Sequence, residues 1–292
     1  MKPDPRFLSQ PKAFWANVRA ISETVGYTVR GKGLIKVPEI EDMILVMHSR
    51  KLNAQHIVSD KGSLTELGGL LQEYFKHRAD VLNTYVKPRL MDAERAQTEF
   101  ENLRDELKPS CPMPMNKQKG DKRAEAYLTC LVNMIVESRI KESNVKGLSC
   151  DYDPRMLTTV TDKEQPLRTL SRRLDGAFPS VVDPIAVWEI KEYYYTTTFG
   201  SRVADGVYET LLDGMELAEL KEHEKVHVLH YLITDAYYTW WECGRSYLCR
   251  ILDSLYMGYI DEVLFGYEVI ERLPSIVDEW IGLSESRRGQ RG

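Results

Sequence analysis

The chain has 292 residues, 43% of them hydrophobic and 28% charged, the make-up of a water-borne globular protein with material for one large domain or two ordinary ones. No apolar run approaches the ~20 residues that span a bilayer, and the opening MKPDPRFLSQ lacks the apolar stretch of a secretory leader. A net charge of −5 leaves nucleic acid open as a partner, because binding follows the local field and not the total. Five cysteines (Cys111, Cys130, Cys150, Cys243, Cys249), odd in number and without a CxxC pair, argue against a disulfide framework and for a cytoplasmic setting.

The first ~110 residues read as mostly helical. Ser9 with Pro11 opens a first helix, since Pro suits the first turn. SLTE at 63–66 has the form of a capping box on Ser63 and Glu66. Behind it Leu67, Leu70, Leu71, Tyr74, Val81, Leu82 and Tyr85 form a helical stripe. Met91 to Leu107 is charge-rich and reads as a solvated helix, a candidate dimer arm. Pro109, Pro112 and Pro114 then break the pattern, because proline lacks an amide hydrogen and pushes its predecessor out of helix. This divides the chain into a helical recognition or dimerisation domain (1–110), a linker (111–120) and a second domain (121–292).

In the second domain Asp121 is placed to cap a helix running to about Ile140. RRLDGAF and IAVWEIK read as a hairpin turning at Val182, Asp183 and Pro184. SRVADGVYETLLDG is a short helix capped by Ser201 and stopped at Gly214. VHVLHYLIT is a strand, residues 236–256 a buried helix, DEVLFG a last strand, and a closing helix ends near Trp280. The order implies an α/β fold with a central mixed sheet flanked by helices.

Strand alternation puts Val187, Glu189 and Lys191 on one face of IAVWEIK, and Trp188 with Ile190 on the other. A turn at about 182 pairs residues whose numbers sum to 364, which sets Asp175 opposite Glu189. Asp183, at the turn, falls roughly 20 Å from Glu189 and is the poorer partner. Glu125 lies in helical register with Leu128, Val132 and Ile135, and a charge on such a stripe is costly unless compensated. A divalent cation held by Glu125, Asp175 and Glu189 would compensate it.

This pattern, D-(x)13-E-x-K on a hairpin between a Glu-bearing helix and a following helix, resembles the PD-(D/E)XK nuclease superfamily. That superfamily includes type II restriction endonucleases and many repair and phage-defence nucleases. The resemblance covers about residues 121–266. Leu174 stands where the written motif has Pro, and the following helix lacks the Gln-x-x-x-Tyr of one branch. It implies a restriction-endonuclease-like core, Mg²⁺ (with Mn²⁺ as substitute) held by Asp175, Glu189 and the carbonyl of Ile190, and Lys191 orienting or deprotonating the attacking water. The chemistry is consistent: hard oxygen ligands select Mg²⁺, and hydrolysis of a phosphodiester needs neutralised phosphoryl oxygens and an activated water. A lysine beside a bound metal has its pKa lowered toward a useful value.

Further candidates are weaker. Thr196, Thr197, Thr198, Ser201 and Arg202 precede a helix start that favours phosphate, and the tyrosines of YYYTTT could flank bases. Arg30, Lys32 and Lys36 lie in a glycine-containing loop suited to DNA contact, and Lys117, Lys119, Lys122, Arg123 and the tail SRRGQRG are similar. His223, His227 and His230 would suit zinc only on a helix, and the segment reads as a strand. No glycine-rich nucleotide loop is present. The expectation is a metal-dependent endonuclease acting on double-stranded DNA as a homodimer, akin to a restriction enzyme. The alternatives are a defence or repair nuclease without a fixed site, working with partner proteins, and a non-catalytic DNA-binding or assembly protein.

Overall fold

The computed structural model describes the chain except residues 30, 61, 117–123, 197–199 and 292, and the side chains of residues 202, 290 and 291. The expected cap Asp121, the basic residues Lys117, Lys119, Lys122 and Arg123, and Arg30, Thr197 and Thr198 lie outside the described residues.

The N-terminal part runs through α1 (Pro5–Leu8), α2 (Lys12–Val25), a hairpin of β1 (Thr28–Val29) and β2 (Leu34–Ile35), α3 (Ile40–Ser49) and α4 (Glu66–Val81). The α4 helix starts two residues later than SLTE suggests. Thr65 is the cap, its hydroxyl accepting from the Gly68 amide, while Ser63 bonds Ser59 instead. A π-helical turn (Leu82–Val86) carries α4 into α5 (Lys87–Arg89), and α6 spans Ala93–Leu107. The α6 helix is no free arm: Ala96 and Phe100 are buried, and Phe100 packs on Tyr127.

The second part begins with α7 (Tyr127–Ser143), then β3 (Asp151–Tyr152), a hairpin of β4 (Thr159–Asp162) and β5 (Gln165–Thr169), β6 (Gly176–Phe178) and β7 (Ala186–Glu192). The α8 helix (Ser201–His223) leads to β8 (Leu229–Asp235), a π-helical turn (Tyr238–Cys243), α9 (Arg245–Tyr256), β9 (Glu262–Phe265) and α10 (Glu268–Arg291). Five strands form the central sheet in the order β3-β6-β7-β8-β9. β3, β6 and β7 pair antiparallel, whereas β7, β8 and β9 run parallel through helical crossovers. The protein is thus α/β, with a five-stranded mixed central sheet flanked by helices.

Alternation on the strands assigns the two layers. Ala186, Trp188, Tyr231, Ile233 and Leu264 pack with α6, α7 and α10. On the opposite face Leu232, Val263 and Phe265 join α8, α9 and the N-terminal helices in one core that runs from Phe7 to Phe265. Apolar packing therefore continues across the proline-rich segment. A buried ion pair, Arg78 Nη1 to Asp253 Oδ1 at 3.0 Å, also ties α4 to α9.

The hairpin register matches the expected pairing: Gly176 faces Trp188, Ala177 faces Val187 and Phe178 faces Ala186. Gly176 is required here, since a Cβ would sit 2.0 Å from the Trp188 indole, which itself stacks on Trp280 with ring centroids 5.4 Å apart. Gly176→Ala is expected to cost about 3 kcal/mol, the upper end of ordinary overpacking, measurable by urea denaturation.

Two helices exceed their expected ends. Gly214 does not stop α8: a Cβ at that position would lie 2.2 Å from the Tyr259 carbonyl, so glycine serves close packing inside the helix. α10 continues past Trp280 into the arginine-rich tail, where Arg287 and Arg288 donate to backbone carbonyls of Asp183, Lys146 and Gly147. No helix among the described residues is long and apolar enough to cross a membrane.

Candidate active site

Asp175 ends the loop from β5 into β6, directly before the hairpin's first pair. Its backbone amide donates to the Trp188 carbonyl at 3.1 Å, and its Oδ2 accepts from the Ile190 amide at 2.7 Å. Those two bonds hold the carboxyl beside Glu189, the next residue of β7. Burial, then the charge of Glu189 and a hydrogen bond to it, push the Asp175 carboxyl up to about 8.

Glu189 and Lys191 project from the same face of β7 toward α8, and both are buried. Lys191 Nζ lies 3.1 Å from Glu189 Oε2 and 3.0 Å from Glu209 Oε2. The lysine reaches this position across Gly206 of α8, where a Cβ would stand 3.2 Å from its Cδ and Cε. Burial would lower the Lys191 pKa, but the charges of Glu189 and Asp175 and the bond to Glu209 outweigh it and hold the ammonium above its usual range. With carboxylates as its neighbours Lys191 is held as a cation, whereas the lowered pKa is the expectation for the lysine beside a bound metal ion.

Arg172, three residues before Asp175, completes the cluster. Its Nη1 bonds Glu189 Oε1 and lies 2.6 Å from Asp213 Oδ2, and its Nη2 lies 3.2 Å from Glu209 Oε2. Asp205, Glu209 and Asp213 recur every four residues on α8. That acidic stripe was readable in the sequence as one helical face, but nothing in the sequence paired it with Arg172.

Arg172, Asp175, Glu189, Lys191, Asp205 and Glu209 line a cleft of about 890 Å³, bounded on its other sides by Pro112 to Asn116, Thr129 and Asn133 of α7, and Tyr152, Asp153 and Arg155. Glu192 also lines it. The Thr129 amide and hydroxyl donate to Glu192 Oε2 at 3.1 and 3.2 Å, so this glutamate caps α7, which has no side-chain cap of its own. Burial pushes its carboxyl up to about 7 despite those bonds.

The other expected site residues do not join this cluster of charges. Glu125 is not on α7: its backbone bridges Met115, the helix begins at Tyr127, and its side chain does not line the cleft. Ser201 lines the cleft, but it is the first residue of α8, with Gly200 in the cap position. Lys32 is exposed on the β1–β2 turn and Lys36 pairs with Asp42 at 2.8 Å, both away from the cleft. Arg202 has no described side chain. The Tyr194 hydroxyl is committed to Asp235 at 2.6 Å, while Tyr195 is exposed. The histidines do not converge: His227 pairs with Asp261, and His230 Nδ1 donates to the Tyr259 carbonyl at 2.8 Å.

Among the described residues no group of three or more His, Cys, Asp or Glu side chains is arranged as a metal cage. Mg²⁺ does not require one, since it binds through one or two carboxylates and fills its shell with waters and substrate phosphates. The hard oxygens of Asp175 and Glu189, held side by side at the cleft wall, fit that demand.

Residues 91–280, which contain the whole cleft, match the family described as "Domain of unknown function (DUF7687)". The chain belongs to the DUF7687 family. Residues 1–85 match a second family, "Domain of unknown function (DUF7690)". The DUF7687 region thus carries Arg172, Asp175, Glu189, Lys191 and the acidic face of α8, whereas Lys32 and Lys36 belong to the DUF7690 match. No curated protein and no solved structure matches the chain.

Proposed function

We propose that the chain is a metal-dependent endonuclease that hydrolyses phosphodiester bonds in double-stranded DNA, with a restriction-endonuclease-like core of the PD-(D/E)XK type. The observation that carries this reading is the meeting of Asp175, at the end of the loop into β6, with Glu189 and Lys191 of β7 at the wall of one open cleft. Asp175, Glu189 and the Ile190 carbonyl would hold Mg²⁺ or Mn²⁺. When bound, the ion supplies charge neutralisation on the phosphoryl oxygens and a more acidic water.

The chain's own residues do the rest. Lys191, fixed between Glu189 and Glu209, presents an ammonium that orients the attacking water and offsets negative charge as the phosphoryl group develops it. The Ile190 amide fixes the Asp175 carboxyl and with it the ligand geometry. Cutting both strands needs two such clefts, so a homodimer with a two-fold axis is the economical assembly.

Incubation with supercoiled plasmid and Mg²⁺ tests the reading. Discrete fragments that vanish in EDTA support a fixed recognition site. A smear that vanishes in EDTA supports the defence or repair alternative, and no Mg²⁺-dependent cutting of duplex, single-stranded or modified DNA counts against both. A second reading, a non-catalytic assembly protein with the hairpin as scaffold, draws on the internal pairing of Glu189 by Arg172 and Lys191. It predicts that divalent ions leave the melting temperature unchanged, whereas a bound ion raises it by mass action.

A further inference from the structure

Arg172 carries an inference that rests on the proposed metal site and goes beyond it. The guanidinium stands on a loop side chain at the cleft wall, with 24% of its side-chain surface exposed. One of its nitrogens is shared between Glu189 and Asp213, and the other reaches Glu209. Lys191 takes the remaining oxygen of Glu189, so both oxygens of that carboxylate face internal cations. Asp213 is fully buried, and its second oxygen has no hydrogen-bond partner among the described residues.

We propose that Arg172 is a displaceable internal cation that competes with the divalent ion for Glu189 and sets the ion concentration at which the site fills. Three features support this. The contested oxygen, Glu189 Oε1, is on the carboxylate that Asp175 adjoins, so a cation held by the two acids and a guanidinium bonded to Glu189 would repel one another at close range. Arg172 also has somewhere to stay when it gives up Glu189, because Asp213 and Glu209 remain on α8 to hold it. Finally, the group that moves is a long side chain on a loop, whereas Lys191 is anchored within β7 and enclosed by α8. Displacement leaves guanidinium N–H groups facing the cleft, where a phosphodiester would lie in the nuclease reading.

Isothermal titration of Mn²⁺ into the full-length chain tests the proposal. The variants are Arg172→Gln, Glu189→Gln as the control without a site, and Arg172→Gln with Asp213→Asn. The double variant keeps the test valid if Asp213 without a partner unfolds the single one. Arg172→Gln, or the double variant, is expected to bind Mn²⁺ about tenfold more tightly than wild type, with binding absent in Glu189→Gln. Unchanged or weaker affinity in the Arg172 variants, with binding still lost in Glu189→Gln, overturns the competition and leaves the metal site standing. No Mn²⁺ binding by any folded variant, wild type included, overturns the metal site and the competition together.

Discussion

Lys191→Met is expected to lower Mg²⁺-dependent cleavage by about 10²–10⁴-fold, the range lost when a positioned proton-transfer or charge-stabilising group is removed. The fold should survive. Glu189 keeps its bond to Arg172, and the methionine stem fills the channel past Gly206 that the lysine stem now occupies. The melting temperature should therefore move by only a few degrees, and Mn²⁺ binding should persist. Lys191→Arg distinguishes charge from shape. The lysine stem passes so close to Gly206 that a Cβ there would stand only 3.2 Å from its Cδ and Cε, and a planar guanidinium is wider than an ammonium. The arginine variant should be nearly as inactive as the methionine variant, and near-wild-type activity from Lys191→Arg would show that any cation there suffices.

Asp175→Asn should remove activity yet stabilise the protein at alkaline pH. The folded-state pKa of Asp175, about 8, lies above the ordinary value of 3.8, so the folded state holds a proton that the unfolded chain releases. A shift in that direction contributes stability that is complete below about pH 4 and is lost as pH rises through about 8. Burial and the neighbouring Glu189 charge cause the loss, and asparagine carries no charge to oppose them. Its amide oxygen still accepts from Ile190, so the hairpin geometry is kept. The variant should match wild type near pH 4 and exceed it at pH 8 by about 1–4 kcal/mol, a rise of several degrees in melting temperature. Adding Mg²⁺ at pH 8 should narrow the gap by stabilising wild type alone. Denaturant curves at pH 5 and pH 8 check this, and an advantage that is equal at both would contradict it.

The hairpin and its register were legible because a two-residue alternation and one turn fix every cross-strand pair. Asp175 beside Glu189 followed from that arithmetic alone. Helix ends were harder to read, since tertiary contacts decide them. Gly214 looks like a stop until Tyr259 is seen against it, and Glu125 looks helical until its backbone pairs with Met115. β5 was invisible for another reason: QPLRT is mostly exposed, polar and interrupted by proline, with neither alternation nor a β-branched run. Arg172 was missed although it stands three residues from Asp175. Its partners Glu209 and Asp213 come from a helix some 40 residues on, and only the parallel crossover from β7 to β8 brings that helix back over the hairpin.

Plasmid cleavage by wild type and Glu189→Ala, purified side by side and assayed with Mg²⁺ and with EDTA, tests the nuclease site itself. Cleavage by wild type in Mg²⁺, lost both in EDTA and in the folded variant, is the predicted result. Equal cleavage by the two proteins, or cleavage that persists in EDTA, would contradict a nuclease site built on Asp175, Glu189 and Lys191.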